Sequence, residues 1–207
     1  MPNPERYEGP VTFIWDYQHE YMVRCPRCEG PALVSCPKVS FKPVDPDKER
    51  VLCLKCGFSR LANDVIRYNI RVKRACSHCD HWFDVCIPNN KEKAAKIRLS
   101  CDGCGAVEDL VPENEAYRDL YTDERLSDPL FGLPLYYQAP IRNDVLWAFN
   151  KKHLSDIRDY VASRLRERQT MQWTTMVEKL PHFIKDAKNR DQILKVIDRM
   201  LEIDAYN

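Results

Sequence analysis

Four cysteine pairs carry the chemistry that can be read first: "CPRC" at 25–28, "CLKC" at 53–56, "CSHC" at 76–79 and "CDGC" at 101–104. Two thiolates on one tight turn supply two corners of a tetrahedral metal site, and a second such pair closes it. Ten cysteines in a secreted chain would suggest disulfides. Here eight of the ten sit in these pairs, and the start "MPNPERYEGP" lacks the basic residues and apolar run of a secretory signal. A redox pair belongs at the start of a helix between strands, whereas these four lie in strand-and-turn surroundings. The expected cofactor is therefore Zn2+, two ions per chain, with iron the other metal a four-thiolate site accepts. Four cysteines close a coordination sphere and leave no place for a reacting water, so both metals read as structural, not catalytic.

The cysteines fall into two copies of one unit. Each copy opens with a pair, carries a lone cysteine (Cys36 or Cys86) at the end of an apolar run, "ALVSC" or "WFDVC", and closes with a second pair. The repeat assigns Cys25, Cys28, Cys53 and Cys56 to one site and Cys76, Cys79, Cys101 and Cys104 to the other. Gly30, Gly57 and Gly105 follow three of the pairs, where the chain must turn back with its amides toward sulfur. Asp80 stands at the fourth. Each half is too short to bury a useful core, so metal binding supplies its folding free energy, about 10 kcal/mol or more per site. Cys36 and Cys86 are expected as small buried thiols on the inner face of a sheet. His78 and His81, flanking Cys79, are expected to be exposed or beside the site.

This pattern resembles the zinc ribbon, two knuckles on antiparallel hairpins clamping one metal, over Cys25 to Leu110. The matching pieces are "CPRC" with its glycine, "CLKCG" and "CDGCG". The resemblance implies a fold and no single function, because ribbons serve transcription factors, polymerase subunits, helicases, ribosomal proteins, enzymes and protein adaptors.

Charge narrows the classes. Thirty-two Lys and Arg against thirty-one Asp and Glu exclude a strongly basic coat but allow a local patch. Arg67, Arg71, Lys73 and Arg74 in "RLANDVIRYNIRVKRA", with Lys91, Lys93, Lys96 and Arg98 in the second ribbon, are the candidates for one positive face. Tyr68, Trp82 and Phe83 lie near them in sequence as stacking partners for a base. The alternation Ile70, Val72 against Arg71, Lys73 predicts a strand, after a helical turn or two that buries Val65 and Ile66. No run of eighteen apolar residues occurs, so no membrane span is expected. HExxH, GxSxG, Walker and Rossmann motifs are also absent. "VDPDKER", an acid-and-lysine cluster in a ribbon loop, reads as surface charge.

In the second half, "EAYRDLY" predicts a short helix with Tyr117, Leu120 and Tyr121 inward. "LPLYYQ" and "VLWAFN" predict a hairpin turning at Asn143 and Asp144. Asn150 caps a helix over 151–168 on the stripe Leu154, Ile157, Val161, Leu165, with "RLRERQ" (164–169) closing it. Trp173, Met176, Val177, Leu180, Phe183 and Ile184 share a helical face that Pro181 interrupts, and a last helix runs over 190–202. His153 falls in the first turn of the capped helix, and His182 faces water. "DPLFGLPLYYQ", "VLWAFNKKHL" and "LPHFIKDAKNRDQILKVIDRM" resemble segments of uncharacterised small bacterial zinc-ribbon proteins with an FGLPL…VLWAxNxxHL signature. Where those would carry a further cysteine pair, this chain has Ile141 and Arg142.

The expectation is an α+β chain: two tandem four-cysteine zinc ribbons of antiparallel β, then a small hairpin and a mostly helical C-terminal domain. The divisions are 1–60, 61–111 and 112–207. Its expected role is a non-enzymatic, cytoplasmic binding protein that contacts DNA or RNA through basic loops. The alternative is a protein adaptor or complex subunit with purely structural zinc. Neither reading expects a small-molecule substrate.

Overall fold

The computed structural model describes residues 5–36, 48–120, 125–165 and 174–205, the last three by backbone alone. Among them the strands are β1 (Glu20–Arg24), β2 (Pro31–Ser35), β3 (Arg50–Leu52), β4 (Ser59–Leu61), β5 (Ile66–Ala75), β6 (Trp82–Asn90), β7 (Ile97–Ser100), β8 (Val107–Leu110), β9 (Glu113–Arg118), β10 (Tyr137–Ile141) and β11 (Asp144–Ala148). The α-helices are α1 (Lys151–Ala162), α2 (Met176–Lys179), α3 (His182–Lys185) and α4 (Arg190–Ala205). A β-rich N-terminal region with two four-cysteine clusters thus precedes a small hairpin and a mostly helical C-terminal region. None of the described helices is long and apolar enough to cross a membrane. The chain forms two compact units, Met1–Ala62 with Tyr121–Asn207, and Asn63–Leu120.

In the first unit β1, β2, β3 and β4 form one antiparallel sheet in that order. Alternation along β1 and β2 buries Tyr21, Val23, Ala32 and Val34 on one face. The outer edge of β1 is also occupied. Met22 N–H donates to Phe149 O (2.7 Å), Tyr136 N–H to Met22 O (2.8 Å) and Arg24 N–H to Pro134 O (2.8 Å). The first cysteine-bearing sheet is therefore backed by segments more than a hundred residues away in sequence. The core beneath it joins Tyr17, Tyr137, Leu146, Leu154, Ile157 and Ile193, among others, from the N-terminal turn, the β10–β11 hairpin, α1 and α4.

Asn150 caps α1 as its sequence position implies, accepting from His153 N–H at 2.9 Å. Its amide also donates to Tyr17 O and Glu20 O, both at 3.0 Å, so one buried side chain ties the helix start to the N-terminal segment. The helix stops earlier than the apolar stripe suggests. Ser163 Oγ turns back onto Asp159 O (2.8 Å). Leu165 then bonds in extended form to Glu5 and Tyr7, so Arg164 and Leu165 lie beyond the helix; Arg166 and Arg168 are outside the described residues. The hairpin turns at Arg142 and Asn143, one residue before the expected place, with Arg142 at φ 57°. Pro181 ends the α2 segment and sits at the N-cap of α3.

The second unit is organised by β5. Its inner side chains Ile70 and Val72 are buried as the alternation implies, and Val65 before it is buried, while Ile66 is only half-buried. β5 pairs with β6 on one edge and β9 on the other, whereas β7 and β8 form a separate two-stranded sheet. The stretch read as a short helix, "EAYRDLY", is instead mostly the strand β9. Its own propensity is overridden because β5 would otherwise present an unpaired edge. Tyr121 lies outside the described residues. A small core of Val72, Phe83 and Leu110 surrounds the buried cysteines of this unit, with Ile97 and Leu99 against it.

Candidate metal centres

The four cysteine pairs adopt one backbone device. In each, the N–H four residues after the first cysteine donates to that cysteine's carbonyl: Glu29 to Cys25 (2.9 Å), Gly57 to Cys53 (3.0 Å), Asp80 to Cys76 (3.3 Å) and Gly105 to Cys101 (2.8 Å). The first cysteine's N–H then donates to the carbonyl five residues on, at 2.8 Å in all four. Each knuckle is thus a closed turn between two strands. Its closing residue is left-handed: φ is 57° at Glu29, 70° at Gly57, 56° at Asp80 and 74° at Gly105. Glycine is the low-cost occupant of that position; Gly30, expected there, follows one residue later.

Cys25, Cys28, Cys53 and Cys56 gather with their sulfurs within 4.8 Å of one another, and so do Cys76, Cys79, Cys101 and Cys104. The tetrahedral edge set by a Zn–S bond of about 2.3 Å is about 3.8 Å. The sulfur separations are 3.5 Å (Cys25–Cys56), 3.7 Å (Cys28–Cys53), 3.9 Å (Cys76–Cys104) and 3.6 Å (Cys79–Cys101). All are far longer than a disulfide and close to that edge, so each cluster has the donors and spacing for one tetrahedral ion. Backbone amides also converge on sulfur: Arg27 N–H lies 3.4 Å from Cys25 Sγ and His78 N–H 3.4 Å from Cys76 Sγ.

The thiols of each cluster are unequal, and the lowered one stands at the matching position in both. Burial raises Cys53, but the amides of Cys56 and Lys55 and the neighbouring thiols pull it down to about 7. At the matching position of the second cluster burial likewise raises Cys101, and the amides of Cys104 and Gly103 bring it to about 7. The Gly30 amide lowers Cys28, yet burial and the surrounding thiols push it up to about 12. His78 N–H lowers Cys76, while burial and Glu108, whose Oε1 is 3.1 Å from its sulfur, push it up to about 12. In each cluster the thiol at the Cys53 or Cys101 position is the readiest to give up its proton, and the others would have to lose theirs for a metal to bind.

The surroundings of the two clusters differ. Cys28 and Cys56 are half-buried, whereas Cys79 and Cys104 are exposed. The first ribbon's knuckle segments, 25–30 and 53–60, carry Arg27, Lys55 and Arg60 against Glu29 alone; the second's, 76–81 and 101–108, carry Asp80, Asp102 and Glu108 and no Lys or Arg. His78 and His81 are exposed, as expected.

Of the eight cations expected to form a positive face, four have an acidic neighbour. Arg71 lies 3.0 Å from Glu115, Arg98 grips Asp109 at 2.8 and 3.1 Å, and Arg67 and Lys73 lie 3.9 Å from Asp119 and Asp84. Strand alternation also sets Arg74 on the opposite face of β5 from Arg67, Arg71 and Lys73. Lys91, Lys93 and Lys96 are exposed, Lys93 over the Tyr68 ring at 5.6 Å. Of the proposed stacking rings, Phe83 is buried and Trp82 is 59% exposed.

A different cationic group went unread in the sequence. Arg27 and Arg60 each place a guanidinium carbon 5.8 Å from the Phe58 ring. Lys55 runs alongside, its Cδ 3.3 Å from where a Cβ on Gly30 would lie. Among the described residues no carboxylate pairs with these three cations. The signal was present in "CPRC" and "CLKCGFSR", but the two pieces meet only when β2 and β3 pair and the four cysteines gather.

Cys36 is half-buried and its thiol donates to Gln18 O at 3.2 Å. Cys86 corrects the expectation of a buried thiol: it is exposed on β6, opposite Arg71, on the face away from Val72 and Phe83. "VDPDKER" lies mostly outside the described residues.

No family model matches the chain, and neither a curated protein nor a solved structure matches it significantly. The comparisons thus lend no support to the likeness with small bacterial proteins drawn from "FGLPL" and "VLWAFNKKHL".

Proposed function

We propose that the chain is a zinc-held, non-catalytic binding module that contacts nucleic acid through its first ribbon. Cys25, Cys28, Cys53 and Cys56 hold one Zn2+, and Cys76, Cys79, Cys101 and Cys104 hold another. The metals stabilise the knuckles and do no chemistry, since four thiolates leave no open position. The observation that carries the reading is the pair Arg27 and Arg60 over the Phe58 ring, with Lys55 beside Gly30 of the facing knuckle, three cations with no carboxylate partner among the described residues. Cations on a rigid turn suit phosphate oxygens, and a ring between them suits a base or a sugar.

Fluorescence anisotropy of the zinc-loaded chain with labelled single-stranded RNA and DNA at two salt concentrations tests it. Binding should weaken steeply with salt. Arg27→Glu with Arg60→Glu should remove about two ions' worth of the salt slope, while Arg71→Ala and Arg98→Ala leave it unchanged. Absence of binding at low salt overturns the reading. A second reading, a protein adaptor, draws on Leu54, 89% exposed at a knuckle tip, and on exposed Trp82.

A further inference from the structure

Beneath the aromatic strand β11, in the first unit, lies a partly open cavity of about 170 Å3. Its walls are apolar, from Ile14, Trp147, Ile157, Met176, Leu180 and Ile184, with Lys179 and Pro181 also at its lining. One further wall residue breaks the pattern. His153 is 2% exposed, and its ring is stacked against Tyr17 at 4.5 Å and edge-on to Trp147 at 5.9 Å.

The tautomer of His153 follows from the backbone just before its helix. Phe149 N–H donates to Nδ1 at 3.3 Å, so the neutral ring carries its proton on Nε2. Burial holds the imidazole neutral by lowering its pKa to about 4. Nε2 has no hydrogen-bond partner among the described residues, and it is not among the fully enclosed side-chain atoms that lack one, so it is left accessible on a residue that lines the cavity. Apolar walls with a polar atom set among them are how small-molecule sites are commonly built, the walls supplying affinity and the polar atom fixing orientation; Lys179, also at the lining, is exposed to water. The volume sets the size, since a dry cavity of about 150 Å3 accommodates a benzene ring.

We infer that this cavity binds a small uncharged aromatic molecule bearing one hydrogen-bond acceptor, such as an aryl ketone, with the acceptor on His153 Nε2–H. The inference does not depend on the nucleic-acid reading, because the cavity is lined by none of the knuckle residues.

The test uses the zinc-loaded chain and two probes of nearly equal shape, acetophenone and ethylbenzene, followed by NMR titration with the histidine ring nitrogens labelled. Acetophenone should saturate, bind about fivefold or more tighter than ethylbenzene, as one neutral hydrogen bond allows, and shift the His153 Nε2 signal. Leu180→Phe, which fills the cavity and removes no polar group, should abolish binding of both. Equal affinity for the two probes overturns the inference. So does the absence of saturable binding to the native chain, or binding undiminished in Leu180→Phe.

Discussion

The two cysteine clusters share one knuckle geometry, and what surrounds that geometry differs between them. Around the first, β2 and β3 join the two hairpins into a single sheet, and β1 is bonded again to residues 134–149. Around the second, the β5–β6 and β7–β8 hairpins belong to separate sheets, held by a core of few side chains. Electrostatics runs the same way. An ion with four thiolates carries a net double negative charge, which Arg27, Lys55 and Arg60 offset in one ribbon and Asp80, Asp102 and Glu108 add to in the other. Identical ligand sets can therefore play unequal parts: a bound metal would be one support among several in the first ribbon and the main cross-link in the second.

The largest expected effect separates the two directly. Cys101→Ser removes the metal's share of folding free energy, about 10 kcal/mol. It should erase amide-exchange protection over 63–120 while α1 and α4 stay protected. Cys53→Ser should loosen β3 and β4 and leave β5 intact. Loss of α4 in the Cys101 variant would show that the asymmetry is wrong.

Acid probes the support under the first ribbon. His153 titrates near its ordinary 6.5 when unfolded and near 4 when folded. Between those values the unfolded chain binds the proton more readily, so stability falls as pH drops from 6.5 toward 4 and is unaffected above 6.5. The loss reaches about 3 kcal/mol. Denaturant melts of native chain and His153→Gln across that range should differ by this slope. The difference between the two chains should appear in the protection of β1 and α1 and not in that of β5.

A smaller effect concerns the metals themselves. Chelator titration followed by metal release should be biphasic, with the exposed, acidic second site emptying about tenfold faster, a difference of about 1.4 kcal/mol in barrier. A single phase would erase the distinction. Smallest of all, Arg98→Ala should leave the thermal midpoint unchanged, because its bond to Asp109 is exposed and screened.

What the sequence disclosed was local. CxxC spacing, the cap at Asn150 and the alternation of β5 each depend on neighbours within a few residues, and each appears as expected. What it hid depends on partners far along the chain. Glu115 and Asp109 neutralise Arg71 and Arg98 only once strands pair, and β9 is a strand because β5 offers it an edge. Cys86 is exposed because its face of β6 carries Asp84 and meets Arg71, which an apolar run read alone does not reveal. The cluster around Phe58 needs two loops brought together by sulfur.

The first compact unit is assembled from both halves of the chain, with the second inserted between Ala62 and Tyr121. During synthesis this inverts the order of completion. The inserted unit is whole once Leu120 has emerged, whereas the earlier ribbon must wait for Phe149 to close its outer edge. At ordinary elongation rates of about 5 to 20 residues per second, that delay is on the order of a few seconds. For that interval the nascent first ribbon presents a bare strand edge and half a core, so the later-encoded ribbon is the first to finish.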